Sequence, residues 1–330
     1  MKHFELRRAM LAAAAGAVAL PRWTSAAAQG HEPAASYPSR PIRWVVPYAP
    51  GGATDLIARV IAQHLPEILG QPVIVENRPG AGSALGAEYV ARSAPDGYTL
   101  LLATIATNAI VPNLQPVRYD PLKDFAPITQ IARGPFLVVV NPELPVRTIA
   151  DLIALAKARP GGLAYGSGGA GSPQHLSVAM FAAAAGVQLN HVPYRGSGPA
   201  ITDLISGQIQ FMFDNTAMQF VQAGRLRAIA STGETRSPIA PEVPTIRESG
   251  LPYDFYAWQG LATTGGTPAA IVEKLHAAVI RMLALPEVKA QLGRDGGEVV
   301  GTSPQDFAAY IQAEHARMKD AVRISGATST

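Results

Sequence analysis

The chain has 330 residues, with 27 Lys and Arg against 24 Asp and Glu, and 48% of its residues are hydrophobic. This length suffices for one large or two ordinary domains with a sizeable core, and the apolar content excludes intrinsic disorder. The sequence contains no Cys, which excludes disulfides, thiolate zinc sites, iron–sulfur clusters and cysteine nucleophiles.

The first 28 residues have the pattern of a cleaved export signal. Basic residues, including Arg7 and Arg8, precede an apolar run over residues 9–20, and residues 26–28 are three alanines that supply a cleavage site. The apolar run is too short to span a bilayer as a helix. Twin-arginine export and Sec export both remain open, because an arginine pair is present but Leu6 stands before it.

Removing the signal changes the charge balance of the chain. The signal carries four basic residues and one acidic residue, so 23 of each sign remain. A neutral chain has no electrostatic footprint for nucleic acid. No later apolar run reaches the length of a transmembrane helix. We therefore expect an exported, soluble protein located in the periplasm, with no nucleic-acid partner.

Strands and helices alternate along the rest of the sequence. The predicted strands are 41–48, 71–76, 98–103, 136–140, 163–165, 189–193, 209–213, 226–231 and 256–262. The predicted helices are 56–65, 83–93, 149–158, 173–185, 199–207, 268–285 and 304–320. The alternation predicts an α/β fold with two lobes, each a mostly parallel sheet flanked by helices.

The order of these elements also predicts how the lobes are joined. We expect lobe 1 to be discontinuous, with residues 36–137 and 258–330, and lobe 2 to comprise residues 138–257. The chain would cross between the lobes near 135–140 and 255–262. These two crossings would form a hinge above a central cleft.

Motifs rich in glycine, proline and tyrosine recur along the chain. They are residues 47–55 (PYAPGGATD), 77–82 (NRPGAG), 95–100 (PDGYTL), 119–121 (YDP), 165–171 (YGSGGAG), 191–196 (HVPYRG), 207–208 (GQ) and 244–245 (PT). This collinear set resembles the periplasmic solute-binding proteins of tripartite tricarboxylate transporters, the TctC-like Bug family. The resemblance covers nearly the whole chain after the signal.

The resemblance implies a particular fold and function. It implies a two-lobed periplasmic binding protein of type II, a Venus flytrap that closes over a small carboxylate. It also implies delivery of that ligand to the membrane subunits of a tripartite tricarboxylate transporter. We accordingly expect a monomer without cofactor, metal or catalytic residues, and therefore not an enzyme.

The chemistry of the glycine loops agrees with a carboxylate ligand. Four such loops run into helix N-termini, where unpaired backbone N–H groups and the helix dipole favour an anion. Ligands of open α/β sheets lie outside the carboxyl ends of the strands, so the loops of both lobes should face one cleft. The resemblance implies that backbone amides and bridging water recognise the carboxylate.

The candidate ligand-binding residues lie in these loops and at strand ends. In lobe 1 they are Tyr48, Ala49, Gly51, Gly52, Asp55, Thr104 and Ile105. In lobe 2 they are Ser167, Gly168, Gly169, Ala170, Gly171, Ser172, His175, Tyr194, Arg195, Gly196 and Asp214.

Several of these candidates also fit purely structural roles. Asp55 could cap its helix, His175 and Tyr194 could simply pack, and Arg195 could be a solvated charge. The loop from Thr104 to Asn108 departs from the family pattern of small residues and often a histidine, because Ile105 and Asn108 stand there instead. An apolar Ile105 at the cleft would favour a less polar ligand.

Two other functions remain open from the sequence. Gly166-x-Gly168-x-x-Gly171 matches the dinucleotide fingerprint and favours a nucleotide-dependent oxidoreductase, but no acidic residue follows about twenty residues later. A sensor that signals to a membrane partner would use the same binding site as a transport receptor. The sequence has neither a Gly-x-Ser-x-Gly elbow nor a His-Glu-x-x-His motif, which argues against a hydrolase or zinc enzyme.

Overall fold

The fold is taken from a computed structural model of the chain. It describes residues 35–51, 53–294 and 296–328. The predicted export signal, residues 1–28, and the candidate residue Gly52 lie outside the described residues.

Strands and helices alternate over most of this length. The strands are β1 (Ile42–Val46), β2 (Val73–Asn77), β3 (Thr99–Thr104), β4 (Phe125–Pro135), β5 (Leu137–Val140), β6 (Ala164–Ser167), β7 (Asn190–Pro193), β8 (Phe211–Phe213), β9 (Arg227–Ser231), β10 (Tyr256–Thr264) and β11 (Glu298–Val299). The helices are α1 (Ala53–Leu69), α2 (Ala84–Ala91), α3 (Val111–Leu114), α4 (Ile149–Ala158), α5 (Pro173–Ala185), α6 (Ser197–Ile205), α7 (Met218–Gln222), α8 (Ala269–Leu283), α9 (Pro286–Gly293) and α10 (Pro304–Ser325).

Helices with strong local end signals begin where the sequence predicts. Thr148 and Asp151 form a reciprocal capping box at the start of α4. Ser172 caps α5 by accepting a hydrogen bond from the backbone of His175, and a proline follows at the first helical position. The predicted bounds of α4 and α5 are therefore confirmed. Strand β4 and helices α3, α7 and α9 were not predicted.

Two separate sheets organise the chain. The first has six strands in the order β11-β4-β10-β3-β1-β2, and the second has five in the order β7-β6-β8-β5-β9. The predicted α/β class with a sheet in each lobe is confirmed.

Both sheets are mixed, but most strands of each run in one direction, β1 to β4 in the first sheet and β6 to β9 in the second, so the predicted mostly parallel arrangement is confirmed. β1 pairs in parallel with β2 and β3, but β10 runs antiparallel to both β3 and β4. In the second sheet β5 is antiparallel to β8 and β9. β5 and β10 are the first strands after the two crossings and run against the strands of the βαβ units, whereas β4 and β9, which precede the crossings, run with those strands.

The chain passes between the sheets at two adjacent segments. β4 leads directly into β5 through Phe136, and β9 returns to β10 through residues 232–255. The Phe136 and Phe255 rings stack with centroids 5.7 Å apart. Buried Thr232 joins the segments, since its hydroxyl accepts from the Phe136 amide and donates to the Phe255 carbonyl, both at 2.7 Å. Ring stacking and hydrogen bonds thus join the two crossing segments to each other.

Apolar side chains between the sheets and their helices form the core. Trp44, Leu65 and Leu275 are buried in one cluster between the first sheet and helices α1 and α8. Phe181 and Phe213 belong to another cluster that covers one face of the second sheet. Helix α10 contacts both β4 and α5, so it packs against elements of both halves. Among the described residues no helix is both long and apolar enough to cross a membrane.

Candidate ligand-binding site

A cavity of about 610 Å³ lies between the ends of the two sheets. The first sheet contributes the loops after β1, β2 and β3 and part of β10 to its lining. The second contributes the loop after β6 and the start of α5. Leu114 and Gly171 show how closely the halves approach, because a Cβ on Gly171 would lie 2.4 Å from the Leu114 side chain.

The loop after β6, residues 168–172, has a fixed internal hydrogen-bond pattern. The Gly169 amide donates to Ser167 Oγ at 3.1 Å, and the Ser172 amide donates to the Gly169 carbonyl at 3.1 Å. The Gly171 amide donates to His175 Nδ1 at 3.1 Å. Gly169 has a φ of 135°, a conformation that glycine adopts readily and other residues rarely adopt. These bonds hold the loop in one shape.

Three amides of this segment remain available for a ligand. Within the described structure, the amides of Gly168, Ala170 and Gln174 donate no hydrogen bond to the protein. All three residues line the cavity, at the N-terminus of the 13-residue helix α5. Free N–H groups and the positive end of the helix dipole therefore lie together at the cavity, which suits a carboxylate.

A pair of stacked histidines lies behind the same loop. The His175 and His191 rings are stacked and nearly parallel, with an interplanar angle of 5° and a centroid separation of 3.8 Å. His191 Nε2 lies 2.7 Å from Ser167 Oγ. Burial lowers the pKa of each ring to about 4, and the proximity of His191 lowers that of His175 further. Both rings are neutral at pH 7 and support the loop through Ser167 and Gly171.

Asp55 holds the glycine loop after β1 in place. It is 1% exposed, and its carboxylate accepts hydrogen bonds from the Gly51 amide at 2.9 Å, Arg59 Nε at 2.8 Å and Asn77 Nδ2 at 2.8 Å. The Arg59 bond, together with those from Gly51 and Asn77, lowers the pKa of Asp55 to about 2. The carboxylate is engaged by protein donors and does not line the cavity. Its position fits the structural alternative, a residue that organises the loop.

Four uncharged polar side chains form a second cluster at the cavity, which we call the hydroxyl–amide cluster: Tyr48, Ser83, Thr104 and Gln259. The Tyr48 hydroxyl lies 2.8 Å from Thr104 Oγ1. Gln259 is paired with Thr104 across β10 and β3, which places their side chains on the same face. Burial raises the pKa of Tyr48, and Ser83 lies beside its hydroxyl. The cluster is therefore neutral.

Apolar side chains form the wall next to this cluster. Ile105 is 2% exposed and lines the cavity, together with Val111, Leu114 and Phe136. Thr107 and Asn108, which follow Ile105, point away and are bonded to each other and to protein. The loop after β3 thus offers the ligand an apolar surface.

The cavity contains no full charge. None of the described residues that line it is Asp, Glu, Lys, Arg or His. Among the described residues, no group of three or more His, Asp or Glu side chains is placed to hold a metal ion. Recognition of an anion here would depend on dipoles, as the free amides of the α5 segment provide.

The structure separates the sequence-predicted site residues into two groups. One group lines the cavity: Tyr48, Ala49, Thr104, Ile105, Gly168, Gly169, Ala170, Gly171 and Ser172. The other group does not line it. Ser167 and His175 support the loop from behind, and Gly51 is bonded to Asp55.

The remaining predicted residues of the second half are also away from the cavity lining. Tyr194 donates to Asp203 at 2.8 Å, and Arg195 is exposed next to Gly196 at the start of α6. Asp214 is 1% exposed and accepts from Ser197 at 2.5 Å and from the Thr216 amide at 2.6 Å. Its carboxylate oxygens are bonded to protein groups, and the residue does not line the cavity.

Several cavity residues were not predicted from the sequence. They are Pro47, Thr54, Pro79, Gly80, Gly82, Ser83, Ala106, Val111, Leu114, Phe136, Pro173, Gln174, Ala257, Trp258 and Gln259. The glycine-rich motif at 77–82 was a signal for the residues from Pro79 to Ser83. Gln259 had none, because a strand residue reaches the cavity only through the pairing of β10 with β3.

Comparison with known proteins agrees with this arrangement. Residues 57–326 match the model of the tripartite tricarboxylate transporter family receptor. BugT of Bordetella pertussis is 38% identical over 298 residues, which cover 88% of this chain and 91% of BugT.

Solved structures with similar folds carry carboxylates. Rpa4515 of R. palustris, solved with adipate, is 37% identical with a TM-score of 0.77, covering 88% of this chain and 99% of that one. MatC (Rpa3494) of Rhodopseudomonas palustris, solved with bound malate, is 35% identical with a TM-score of 0.74, covering 87% and 100%. These matches span nearly the whole described chain. The protein therefore belongs to the tripartite tricarboxylate transporter receptor family, whose members are periplasmic solute-binding proteins.

Proposed function

We propose that this protein is a periplasmic receptor that captures a small carboxylate between two lobes and presents it to the membrane subunits of a tripartite tricarboxylate transporter. The observation that carries the proposal is the segment 168–174. Its free amides at the N-terminus of α5 face a cavity lined by both halves of the chain. The carboxylates bound by Rpa4515 and MatC support the same ligand class.

The proposed mechanism is closure of two lobes, residues 36–137 with 258–330 and residues 138–257. The ligand carboxylate accepts hydrogen bonds from the second lobe, while its body contacts the apolar wall of the first. Contacts to both lobes favour the closed state, and the free-energy difference shifts the open–closed equilibrium. The crossings joined by Thr232 would then act as the hinge. The closed form is what the membrane subunits would recognise.

Export is part of the proposal. Residues 1–28 would direct the chain to the periplasm and be removed. Mass spectrometry of protein from the periplasmic fraction should give a chain that begins at or near Gln29. Recovery of the full-length chain from the cytoplasmic fraction alone would contradict this part.

A thermal-shift screen tests the ligand class. The purified protein is heated with a panel of carboxylates, their primary amides and NAD(P). A ligand at a hundredfold over its Kd stabilises the native state by about 2.7 kcal/mol, or a shift in Tm of a few degrees. Stabilisation by carboxylates but not by their amides is expected. Stabilisation by NAD(P) alone would favour the oxidoreductase instead.

A matched pair of variants at Ser172 tests where the carboxylate binds. Ser172 lines the cavity and caps α5, and both Asp and Asn are good capping residues. Ser172→Asp places a negative charge at the proposed carboxylate position, whereas Ser172→Asn has the same size without the charge. We expect Ser172→Asp to weaken carboxylate binding by roughly tenfold or more relative to Ser172→Asn. Equal affinities would place the carboxylate elsewhere.

A further inference from the structure

Two residues that line the cavity have buried oxygens that make no hydrogen bond of standard geometry in the protein. They are Ser83 Oγ, which lies beside the Tyr48 hydroxyl, and Gln259 Oε1. Ser83 is 2% exposed, and both residues line the cavity. A buried polar atom without a partner costs about 1–3 kcal/mol. A ligand group that bonds to these atoms would remove that cost.

The backbone of Ser83 adds an independent observation. Its φ of 94° and ψ of −6° lie in the left-handed region, which a non-glycine residue adopts only at a cost. The serine also makes no side-chain capping bond to helix α2, which begins at the next residue. Strain of this kind concentrates at functional sites. Ser83 is thus a strained residue at the cavity whose hydroxyl caps no helix.

The surroundings indicate the charge of the group that fits there. The hydroxyl–amide cluster contains only neutral side chains, and no described cavity-lining residue is cationic. The positive N-terminal end of helix α1 is compensated by Asp55 in its first turn, which is ionised because its pKa is about 2. A second carboxylate at the cluster would therefore be desolvated without a counter-charge. A hydroxyl or a primary amide would be accommodated, since it both donates and accepts.

We propose that the hydroxyl–amide cluster is a subsite for an uncharged polar group of the ligand, read by Ser83 and Gln259. The proposal rests on the proposed function, because the ligand carboxylate is assigned to the segment 168–174 at the opposite side of the cavity. The preferred ligand is then a carboxylic acid that carries a hydroxyl or amide group at its other end. An unsubstituted acid and a dicarboxylate of equal length bind more weakly.

Matched acids test this assignment by isothermal titration calorimetry. Each set contains an unsubstituted acid, its terminal hydroxy derivative, the monoamide of the dicarboxylic acid and the dicarboxylate, at chain lengths from butanoate to heptanoate. One neutral hydrogen bond corresponds to a Kd about fivefold lower. We expect the hydroxy acid or the monoamide to bind at least about fivefold more tightly than the other two members. A dicarboxylate that binds most tightly overturns the proposal.

Two variants test the residues themselves. Ser83→Gly suits the left-handed backbone, so the variant should fold at least as stably as the wild type. Gln259→Leu keeps the side-chain size and removes the amide. In each variant the ratio of the Kd of the unsubstituted acid to that of the hydroxy acid or monoamide should fall from at least about five to about one. Gln188→Leu is the matched control, because Gln188 is exposed and does not line the cavity.

The failures of the two proposals are distinguishable. If the acids bind but the polar derivatives have no advantage, or if the advantage survives in both variants, the subsite is refuted and carboxylate capture stands. If no acid of any set binds, while its fully amidated analogue does, the proposed function itself fails and the subsite falls with it.

Discussion

The stacked histidines behind the loop at 168–172 make the stability of the protein depend on pH. The pKa of each ring is about 4 in the folded protein, against a usual 6.5. Above pH 6.5 both rings are neutral in the folded and unfolded states, and the full stability is present. Between pH 6.5 and about 4 the unfolded chain binds protons that the folded chain does not, so stability falls as pH falls.

The magnitude follows from the size of the pKa difference. One pKa unit is worth 1.36 kcal/mol, so each ring accounts for about 3 kcal/mol of unfolding free energy across this range. The other ring that faces the pair is Tyr165, with centroid distances of 5.0 Å to His191 and 6.3 Å to His175. Burial raises the pKa of Tyr165, so it stays neutral and offers the imidazolium no counter-charge. A loss of about 6 kcal/mol for both rings is comparable to the whole stability of a typical domain.

Urea unfolding followed by circular dichroism at pH 7, 6, 5 and 4.5 measures the effect. The comparison variant is His175→Asn with His191→Gln. Asn offers an oxygen where Nδ1 accepts from Gly171, and Gln offers a polar atom where Nε2 meets Ser167. Carboxylates titrate alike in both proteins, so only the histidine contribution differs. The wild type should lose several kcal/mol more than the variant between pH 7 and 4.5, and identical slopes would refute the reasoning.

Three further changes have expected outcomes. Asp55→Asn removes a carboxylate whose pKa is about 2, so it should cost about 1–2 kcal/mol at pH 7 and nothing near pH 2, where the wild-type group also loses its charge; urea unfolding at both pH values checks this, and an equal cost at both would contradict it. Thr232→Val should cost about 2–4 kcal/mol in urea unfolding, because it leaves the amide of Phe136 and the carbonyl of Phe255 without their side-chain partner; a loss below about 0.5 kcal/mol would mean that the Thr232 hydroxyl does not contribute to joining the crossings. Ile105→Thr keeps the branched shape but adds a hydroxyl to the apolar wall, so the Kd of an acid with an apolar body should rise roughly tenfold by calorimetry, and an unchanged Kd would remove Ile105 from the contact surface.

Local signals predicted the second glycine loop and the helix that follows it. Ser172, Pro173 and the apolar residues of α5 are neighbours in sequence, and capping depends only on such neighbours. The same holds for Thr148 and Asp151 at α4. The bounds of these helices could therefore be predicted without knowing the rest of the fold.

Strand direction could not be predicted in the same way. The sequence indicates βαβ units, and these are parallel in both sheets. β4, β5, β9 and β10 lie beside the crossings, and their direction depends on which sheet each one joins. β4 also contains Pro127 and Gly134, which obscure the strand pattern. Tertiary context alone decides these strands.

The hydroxyl–amide cluster illustrates why a site is harder to predict than a fold. Asp55 and Asp214 carry the chemistry that sequence reasoning looks for, yet their oxygens are taken by Gly51, Asn77, Ser197 and other protein donors. Ser83 and Gln259 carry no charge and belong to no chemical motif, yet both line the cavity and each has a buried oxygen that makes no hydrogen bond of standard geometry. Whether a polar atom is available to a ligand depends on which partners the fold brings to it. Those partners are set by long-range pairing, as between β10 and β3, and residue type does not reveal them.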